Sequence, residues 1–303
     1  MKKFIHTPYK SGLGGVNIGL EPINESKWLE IDDSFVPEIQ KKQSLFRSKR
    51  EQVFNQTTKS YQSQVELLEV IKKHLTHYYG NYFRFNKDEI YIKIKGKSLK
   101  ISEKITNPLE ISSFLVQEDL LVMLPNKNQS YNLEAASLCA PSNWSLKEKF
   151  NNSLLEVHKH VPGYKENISK RVNNIFNRLE KKRIFERFNW SIYDSPKLFQ
   201  PKKSKTEVVR IKSINKSNAG EKLFIRVERQ TIRRMPKTKA IIFTVRVHVS
   251  PLHSIKDDLL KLNDLLLAIK NLDILMKKYK SLDQIERSIN GWLEDRINFL
   301  GNT

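Results

Sequence analysis

The stretch that decides the fold runs from residue 223 to residue 249 and reads LFIRVERQTIRRMPKTKAIIFTVRVHV. Its two halves, 223–233 and 240–249, are rich in β-branched and aromatic residues, which favour strands. The segment between them is polar and contains Pro236, as turns often do. We therefore predict two long antiparallel strands joined by a short turn, and we place the rest of the chain around them.

Other segments upstream have the same alternating pattern. Short polar turns interrupt them, and two strands joined by a short turn must pair antiparallel. The pattern predicts a first β-hairpin around Lys95-Gly96-Lys97, a second β-hairpin and one further strand. These segments span about residues 88–101, 120–139 and 185–193.

Helical spacing of apolar residues accounts for much of the remaining chain. Residues 61–78 are amphipathic, and Ser145 with Glu148 forms the capping box that begins a helix. Pro162-Gly163 then ends the helical pattern. The predicted helices span about residues 36–54 (a surface helix), 61–78, 145–158, 165–181, 254–278 and 283–299.

This order of elements favours an α+β fold, with helices inserted midway along a run of antiparallel strands. We expect three regions. Residues 1–110 form an N-terminal region of helices and a hairpin that packs on the core, residues 111–255 form the core, and residues 256–303 form C-terminal helices.

Composition excludes several classes of protein. With 303 residues and 39% hydrophobic residues, the chain can bury a large core, which excludes disorder as its main state. It has neither an apolar run of the roughly 20 residues that a membrane span needs nor an apolar segment behind Lys2 and Lys3 that would make a signal peptide. The single cysteine, Cys139, excludes an internal disulfide and a cysteine-ligated iron–sulfur cluster. We expect a soluble cytoplasmic protein.

The chain is strongly basic, with 54 Lys and Arg against 33 Asp and Glu and a formal net charge of +21. Such a charge can bind nucleic acid by releasing counterions. However, the lysines are dispersed, the densest tract (201–205) resembles a loop, and the sequence lacks nucleic-acid-binding motifs. Nucleic acid is therefore disfavoured as a partner, and attraction to an acidic protein is at least as good an explanation.

Several short motifs occur in a fixed order along the chain. Each is weak alone, but their order and separations form a specific set. The motifs are GLEP (19–22), WLEID (28–32), VQEDL (116–120), AASLCAPSNW (135–144), VHKHVPGY (157–164), NWS (189–191), RVERQTIRRMP (226–236) and FTVR (243–246).

Over about residues 15–255 this set resembles the haem-dependent oxidative N-demethylase family. The resemblance implies a PAS-like antiparallel sheet whose inserted helices form a pocket for haem b, flanked by N- and C-terminal helices. It also implies that FMN, an iron–sulfur cluster and tetrahydrofolate lie on partner subunits, one of which is a reductase, so that the chain is part of a hetero-oligomer.

The resemblance further implies a monooxygenase that uses dioxygen to demethylate a small secondary amine such as dimethylamine. Oxidation of the methyl group gives a carbinolamine, which releases formaldehyde. Two alternatives remain open: a non-catalytic haem-PAS sensor of gas or redox state, and a basic binding protein without a cofactor. A sensor is disfavoured because the chain has no obvious effector domain.

Haem iron needs an axial ligand, most often a neutral histidine and sometimes a cysteine thiolate. His158 follows Leu154 by one helical turn and precedes the predicted helix break, so its imidazole can reach an apolar pocket. Without the resemblance, a core histidine would be the better interpretation; with it, we favour His158 as the iron ligand. His160 and Cys139 are the second and third candidates, and we expect Cys139 to be a buried small hydrophobe.

A cationic amine needs a carboxylate as its counter-ion. Strand periodicity puts Arg226, Glu228 and Gln230 on one face, where Glu228 could hold the amine while Arg226 and Gln230 donate hydrogen bonds to oxygen or to a haem propionate. An ordinary ladder of ion pairs on a solvent-exposed face is an equally good interpretation.

Other candidates follow from their positions near these residues. Arg246 could pair with Glu228 or a propionate, Arg233 could bind a propionate or be surface charge, and Tyr164 could donate a proton or simply pack. Trp144 is expected to pack in the core or against haem. His74 and His77 share a helix face without a third ligand nearby in the sequence, so we expect both at the surface.

Overall fold

The computed structural model describes residues 6–10, 19–102, 104, 107–127, 130–164, 169–201 and 210–302. In this part of the chain the strands are β1 Glu21–Ile23, β2 Phe54–Gln56, β3 Phe83–Phe85, β4 Glu89–Ile94, β5 Lys97–Ser102, β6 Asp119–Pro125, β7 Tyr131–Ser137, β8 Ile184–Tyr193, β9 Phe224–Arg234 and β10 Ile241–Pro251. The helices are α1 Phe35–Val53, α2 Tyr61–Tyr79, α3 Pro108–Leu115, α4 Leu146–Lys149, α5 Leu154–Val157, α6 Ser169–Arg178, α7 Ala219–Lys222, α8 Leu259–Lys270, α9 Ile274–Tyr279 and α10 Glu286–Gly301.

A large antiparallel sheet organises the molecule. Across the described residues its strand order is β1-β8-β9-β10-β6-β7-β2. The predicted long strands are confirmed as β9 and β10, which pair along their whole length, and the second predicted hairpin is confirmed as β6 and β7. Helices and antiparallel strands therefore form an α+β fold, as predicted.

A smaller sheet contains the first predicted hairpin. It has the order β3-β4-β5 in the described chain. The β4–β5 turn is tight because Lys95 and Gly96 both have positive φ angles, 48° and 74°. Positive φ at both central residues is what the favoured two-residue hairpin turn requires.

The two faces of the large sheet differ, and strand register defines them. On β9, Arg226, Glu228, Gln230 and Ile232 point to one side, which we call the cavity face. The alternate residues Val227, Arg229, Thr231 and Arg233 point to the other side, which we call the core face.

The core face is covered by tightly packed elements. Trp28 and the apolar sides of α1 and α2 form one buried cluster with Ile184 and Ile242. Helices α8 to α10 form a second buried cluster with Trp190 and Val227. The N-terminal and C-terminal parts of the chain therefore both stabilise this side of the sheet.

The cavity face is covered less completely. A third cluster joins Ile232 to Leu154 of α5 and Phe176 of α6, which come from the segment inserted between β7 and β8. Several apolar side chains around this cluster are only half-buried, so this side presents an apolar surface. They are Trp144, Phe150, Val172, Ile175, Phe185, Phe243 and Val245.

The predicted helix over 145–158 is wrong in one respect, because two four-residue helices, α4 and α5, replace it. Between them, Asn151 has a φ of 59°, and its backbone N–H donates to the Leu133 carbonyl. The Leu133 N–H in turn donates to the Asn152 carbonyl. This segment pairs with β7, so its N–H and C=O groups cannot continue a helix.

Three helices, not the two predicted, lie in the C-terminal region of the described chain. The helix predicted over 254–278 ends at Lys270, and a new helix begins after Asp273, whose side chain accepts a hydrogen bond from the Met276 N–H. An aspartate in this capping position favours a helix start over continuation of the preceding helix.

Some expectations are decided by burial. His77 is exposed as predicted, but the surface prediction for His74 is wrong because its ring packs edge-on against Trp28 with the centroids 5.2 Å apart.

The structure also describes no helix with the length and hydrophobicity needed to cross a membrane. Most of the basic tract at 201–205 lies outside the described residues.

Candidate functional site

His158 lies at the C-terminal end of α5, below the cavity face of the sheet. Its Nδ1 is 2.9 Å from the Leu154 carbonyl oxygen, so Nδ1 carries the proton and donates this hydrogen bond. The ring stacks on Tyr164 with the centroids 4.5 Å apart and the planes inclined by 15°. The Nε2 atom makes no hydrogen bond to the described residues, so its lone pair remains available for a ligand.

The surroundings of His158 keep its ring neutral. Burial lowers the pKa of His158 to about 4; the Leu154 carbonyl opposes this shift, and the charges of Lys149 and Arg187 add to it. A neutral imidazole is the form that coordinates iron. At neutral pH, protons therefore compete only weakly with a metal ion for the Nε2 atom of His158.

The two alternative iron ligands are less well placed. His160 is exposed, three residues beyond the end of α5. Cys139 is buried in the cluster that contains Trp28, and burial together with Asp119 raises the pKa of its thiol to about 12. A thiolate, the form that ligates haem iron, is strongly disfavoured there.

Glu228 is the half-buried carboxylate of the cavity face. Ser142 Oγ donates a hydrogen bond of 2.6 Å to its Oε1, and Gln230 Nε2 donates one of 3.0 Å to its Oε2. Asn189 Nδ2 lies 3.5 Å from the same Oε2. The structure thus brings the predicted residues Glu228 and Gln230 into direct contact, with Ser142 and Asn189 as partners that the sequence analysis did not identify.

Arg226 is also on the cavity face, but its guanidinium binds protein backbone. It donates to the carbonyls of Ala140 and Leu198 at 2.8 and 3.0 Å, and its Nε donates to Ser142 Oγ at 2.9 Å. With 1% of its surface exposed, Arg226 holds two loops together at the edge of the cavity face. This geometry leaves it little freedom to donate to a substrate.

Three further cations face Glu228, and the sequence analysis missed all of them as site residues. Lys149 lies at the end of α4, Arg187 faces Gln230 across the β8–β9 pair, and Lys280 follows α9. Burial lowers the pKa of Lys149 and of Lys280 to about 8, while Glu228 opposes both shifts. Burial also lowers the pKa of Arg187.

Two predicted aromatic residues line the same region. Trp144 is half-buried, with Lys149 Nζ 4.3 Å from its ring centroid. Tyr164 is buried against His158, and burial raises the pKa of its phenol to about 12. The Tyr164 hydroxyl is therefore protonated at neutral pH and can donate a hydrogen bond.

The predicted pairing of Arg246 with Glu228 is wrong. Arg246 lies opposite Arg229 in the β9–β10 ladder, which puts it on the core face, whereas Glu228 points to the cavity face. Its guanidinium donates to Asp32 at 2.9 Å and to Glu38 at 2.8 Å. These two carboxylates satisfy its charge, so nothing in the geometry favours its expected role toward a propionate.

Arg233 also lies on the core face, away from His158. It donates to Glu25 at 2.7 Å and its guanidinium lies 4.2 Å from the ring centroid of Trp28. Arg233 is on the same strand as Glu228, so alternation alone puts it on the opposite face. Arg246 is on the next strand, and its face is known only from the register between the two strands.

A second cluster of titratable groups lies on the core face. The Nε2 atoms of His6 and His248 are 2.8 and 2.7 Å from the two carboxylate oxygens of Glu30, and the ligand atoms of all three lie within 4.8 Å of one another. Arg229 Nε is 3.5 Å from Glu30. Burial raises the pKa of Glu30, but the hydrogen bonds from His248 and His6 and the charge of Arg229 together lower it to about 2. Residues so far apart in the chain gave no sequence signal.

The cavity face has the features that a haem group needs. The half-buried aromatic and aliphatic side chains offer an apolar surface, and His158 offers an imidazole nitrogen. The Nε of Arg187 is buried without a hydrogen-bond partner, and cations beside it suit the two propionates of haem b. The residues present therefore fit the group on three independent counts.

Comparison with known families agrees with this assignment. The family model described as haem-dependent oxidative N-demethylase, alpha subunit-like, matches residues 19–290. The match includes the whole large sheet from β1 to β10 and the inserted helices below it. The words alpha subunit denote one component of a multi-subunit assembly. The chain belongs to the haem-dependent oxidative N-demethylase alpha subunit-like family.

Proposed function

We propose that this chain is the haem-binding subunit of a monooxygenase that removes a methyl group from a small secondary amine such as dimethylamine. In this proposal the large sheet and its inserted helices form a PAS-like pocket for haem b. Haem, when bound, supplies the activation of dioxygen that N-methyl oxidation requires. The chain's own residues supply the iron ligand, the shape of the pocket and its charges.

One observation carries the proposal: His158 is neutral, and its Nδ1–H donates a hydrogen bond to the Leu154 carbonyl. A hydrogen bond at one ring nitrogen fixes the tautomer and orientation that present the other nitrogen to a metal. Stacking on Tyr164 holds the ring in that orientation. These features support His158 as the proximal ligand, with Trp144 as part of the pocket wall.

Glu228 and Gln230 are the proposed substrate-binding residues. Glu228 is only half-buried, so a small ammonium group could reach its carboxylate. Gln230 and Ser142 hold the carboxylate in place, which reduces the entropy lost when the amine binds. We assign Arg226 a positioning role through Ser142, because its guanidinium is bound to loop carbonyls.

The single cysteine of the sequence, Cys139, fits a division of labour in which electrons come from a partner subunit. We propose a reductase partner carrying FMN and an iron–sulfur cluster, with tetrahydrofolate on a further subunit. The net charge of +21 would favour association with an acidic partner. We also propose that the assembly is cytoplasmic.

The first test is the optical spectrum of the full-length protein loaded with ferric haem. We expect a Soret band in the wild type and a shifted band with weaker haem binding in His158→Ala. His160→Ala is the matched control, because His160 is exposed and should leave the band unchanged. An unaltered ferric spectrum in His158→Ala would contradict the assignment of the ligand.

The second test separates an enzyme from a sensor. With a suitable reductase, dimethylamine should increase the consumption of reductant and release formaldehyde. We expect Glu228→Gln to retain the Soret band and to lose turnover, because the amide has no charge for the ammonium group. Haem binding without amine-dependent formaldehyde release would favour the sensor.

A further inference from the structure

The charges around Glu228 do not balance. Lys149, Arg187 and Lys280 all act on this one carboxylate, as their pKa shifts record. The exposed Glu148 also acts on Lys149. Three partly desolvated cations therefore share the single half-buried carboxylate of Glu228. A buried charge without a counter-ion is costly in free energy.

The geometry of Arg187 shows where a ligand would lie. Arg187 lies on the cavity face of β8, opposite Gln230. Two residues further along the same face is Asn189, which contacts Glu228. The Nε of Arg187 is buried without a hydrogen-bond partner, and its guanidinium makes no hydrogen bond or ion pair to the described residues. A planar guanidinium binds carboxylates in a bidentate manner, so it suits an anion of this class.

Lys149 and Lys280 flank this position from helices on different sides. Lys149 Nζ lies over Trp144. Lys280 Nζ donates to Asn189 Oδ1 at 2.8 Å and to the Trp190 carbonyl oxygen at 2.5 Å, which leaves one of its three N–H donors for a ligand. The C-terminal region thus contributes a cation to a group of residues that otherwise belongs to the central region.

We infer that Arg187, Lys149 and Lys280 form a carboxylate-binding site beside Glu228. Arg226 also acts on Glu228, but its guanidinium is held by the Ala140 and Leu198 carbonyls and also interacts with Asp119. Among the other three cations, one Glu228 leaves two without a counter-ion, so the charges favour two bound carboxylates. The inference rests partly on the proposed function, which supplies two sources of this chemistry: the two propionates of haem, or a carboxylate on an N-methylated amine substrate. Once these cations are neutralised, Glu228 is free to attract an ammonium group.

Metal-free protoporphyrin IX and its dimethyl ester test the site without iron. Neither can be ligated by His158, so any difference in their affinities reports on the carboxylates. We expect the full-length wild-type protein to bind the diacid at least about tenfold more tightly than the diester, as charge-assisted hydrogen bonds imply. Quenching of tryptophan fluorescence measures both affinities.

Substitutions then assign the preference to the inferred residues. Arg187→Gln and Lys149→Gln should each reduce the preference for the diacid, and Arg187→Lys should retain part of it. Lys73→Gln removes one positive charge from the exposed side of α2 and is the matched control. Circular dichroism checks that each variant is folded. If one of the two variants does not fold, the other still tests the site.

A separate arm identifies the source of the carboxylate. N-methylglycine and dimethylamine are added to the haem-loaded protein, and the shift of the Soret band is measured. If N-methylglycine shifts the Soret band and dimethylamine does not, and if Arg187→Gln abolishes this shift, the site binds a substrate carboxylate. Preference for the diacid porphyrin, with equal responses to both amines, assigns it to the propionates.

The outcomes separate this inference from the proposed function. If metal-free diacid is preferred but iron porphyrin is not ligated by His158, the proposed function fails and the carboxylate site stands. The site itself is overturned if diacid and diester bind equally and N-methylglycine acts identically on wild type and Arg187→Gln. A diacid preference that survives both Arg187→Gln and Lys149→Gln also overturns it.

Discussion

At the scale of single residues, the site depends on which protonation states the protein stabilises. His158 is kept neutral by burial and by the cations beside it, whereas Glu30 on the other face is kept ionised by His248, His6 and Arg229. The same sheet therefore stabilises a neutral base on one side and a charged acid on the other. Each state follows from the partners that surround the group.

The depressed pKa of His158 predicts a pH dependence of stability in the haem-free protein. As the pH falls below about 6.5, the unfolded chain binds a proton at His158, whereas the folded protein stays neutral until the pH approaches about 4. The free energy of unfolding should therefore fall across this window, by up to roughly 3 kcal/mol from this residue.

His158→Asn removes the titrating ring and can keep the hydrogen bond to the Leu154 carbonyl. The difference in unfolding free energy between wild type and variant should shrink or change sign as the pH is lowered from 7 to 4. Urea denaturation at a series of pH values measures it. A difference that does not change with pH would show that His158 titrates normally in the folded state.

At the scale of elements, tight packing between helices holds the C-terminal region against the sheet. Gly220 of α7 lies directly against the indole of Trp292 in α10, so that a Cβ atom at this position would be 2.5 Å from Trp292 Nε1. Glycine is needed here for close approach, and no positive φ is involved. The contact joins two elements that are far apart in the sequence.

Gly220→Ala should destabilise the protein by about 1–3 kcal/mol, because a methyl group would force α7 and α10 apart. Gly301→Ala is the matched control, since a Cβ at Gly301 would have no neighbour within 4 Å. The midpoints of urea denaturation compare the two variants. Equal stability of both variants would contradict this account of the packing.

At the scale of the whole molecule, the hydrophobic clusters cross the predicted regional boundaries near residues 110 and 255. The cluster around Trp28 includes Ile242, and the cluster around Leu265 includes Trp190. The three regions remain a prediction, and these contacts favour their folding as one cooperative unit.

Removal of residues 256–303 tests this cooperativity. The truncated chain would expose the apolar surface of Trp190, Ile225 and Val227 that α8 to α10 cover, so we expect it to aggregate or to lose its cooperative thermal transition. Circular dichroism during heating compares it with the full-length chain. A sharp transition near the full-length midpoint would show that the C-terminal helices are a separate unit.

Much of the fold could be predicted from local pattern. The β9 and β10 strands, both hairpins and the α+β class follow from alternation and turn residues, because these signals act over a few neighbouring positions. The helix over 145–158 was divided because residues 151–153 pair with β7, a long-range contact that local spacing does not show.

By itself, the sequence determined the α+β class, the two long strands, both hairpins, the family resemblance and the position of His158 at the end of a helix. Only the tertiary structure decided that Arg246 faces away from Glu228, and that Arg187, Lys149 and Lys280 face toward it. The reason is physical. A strand's alternation defines two faces but not their surroundings, and the charge balance of a site depends on residues brought together from distant parts of the chain.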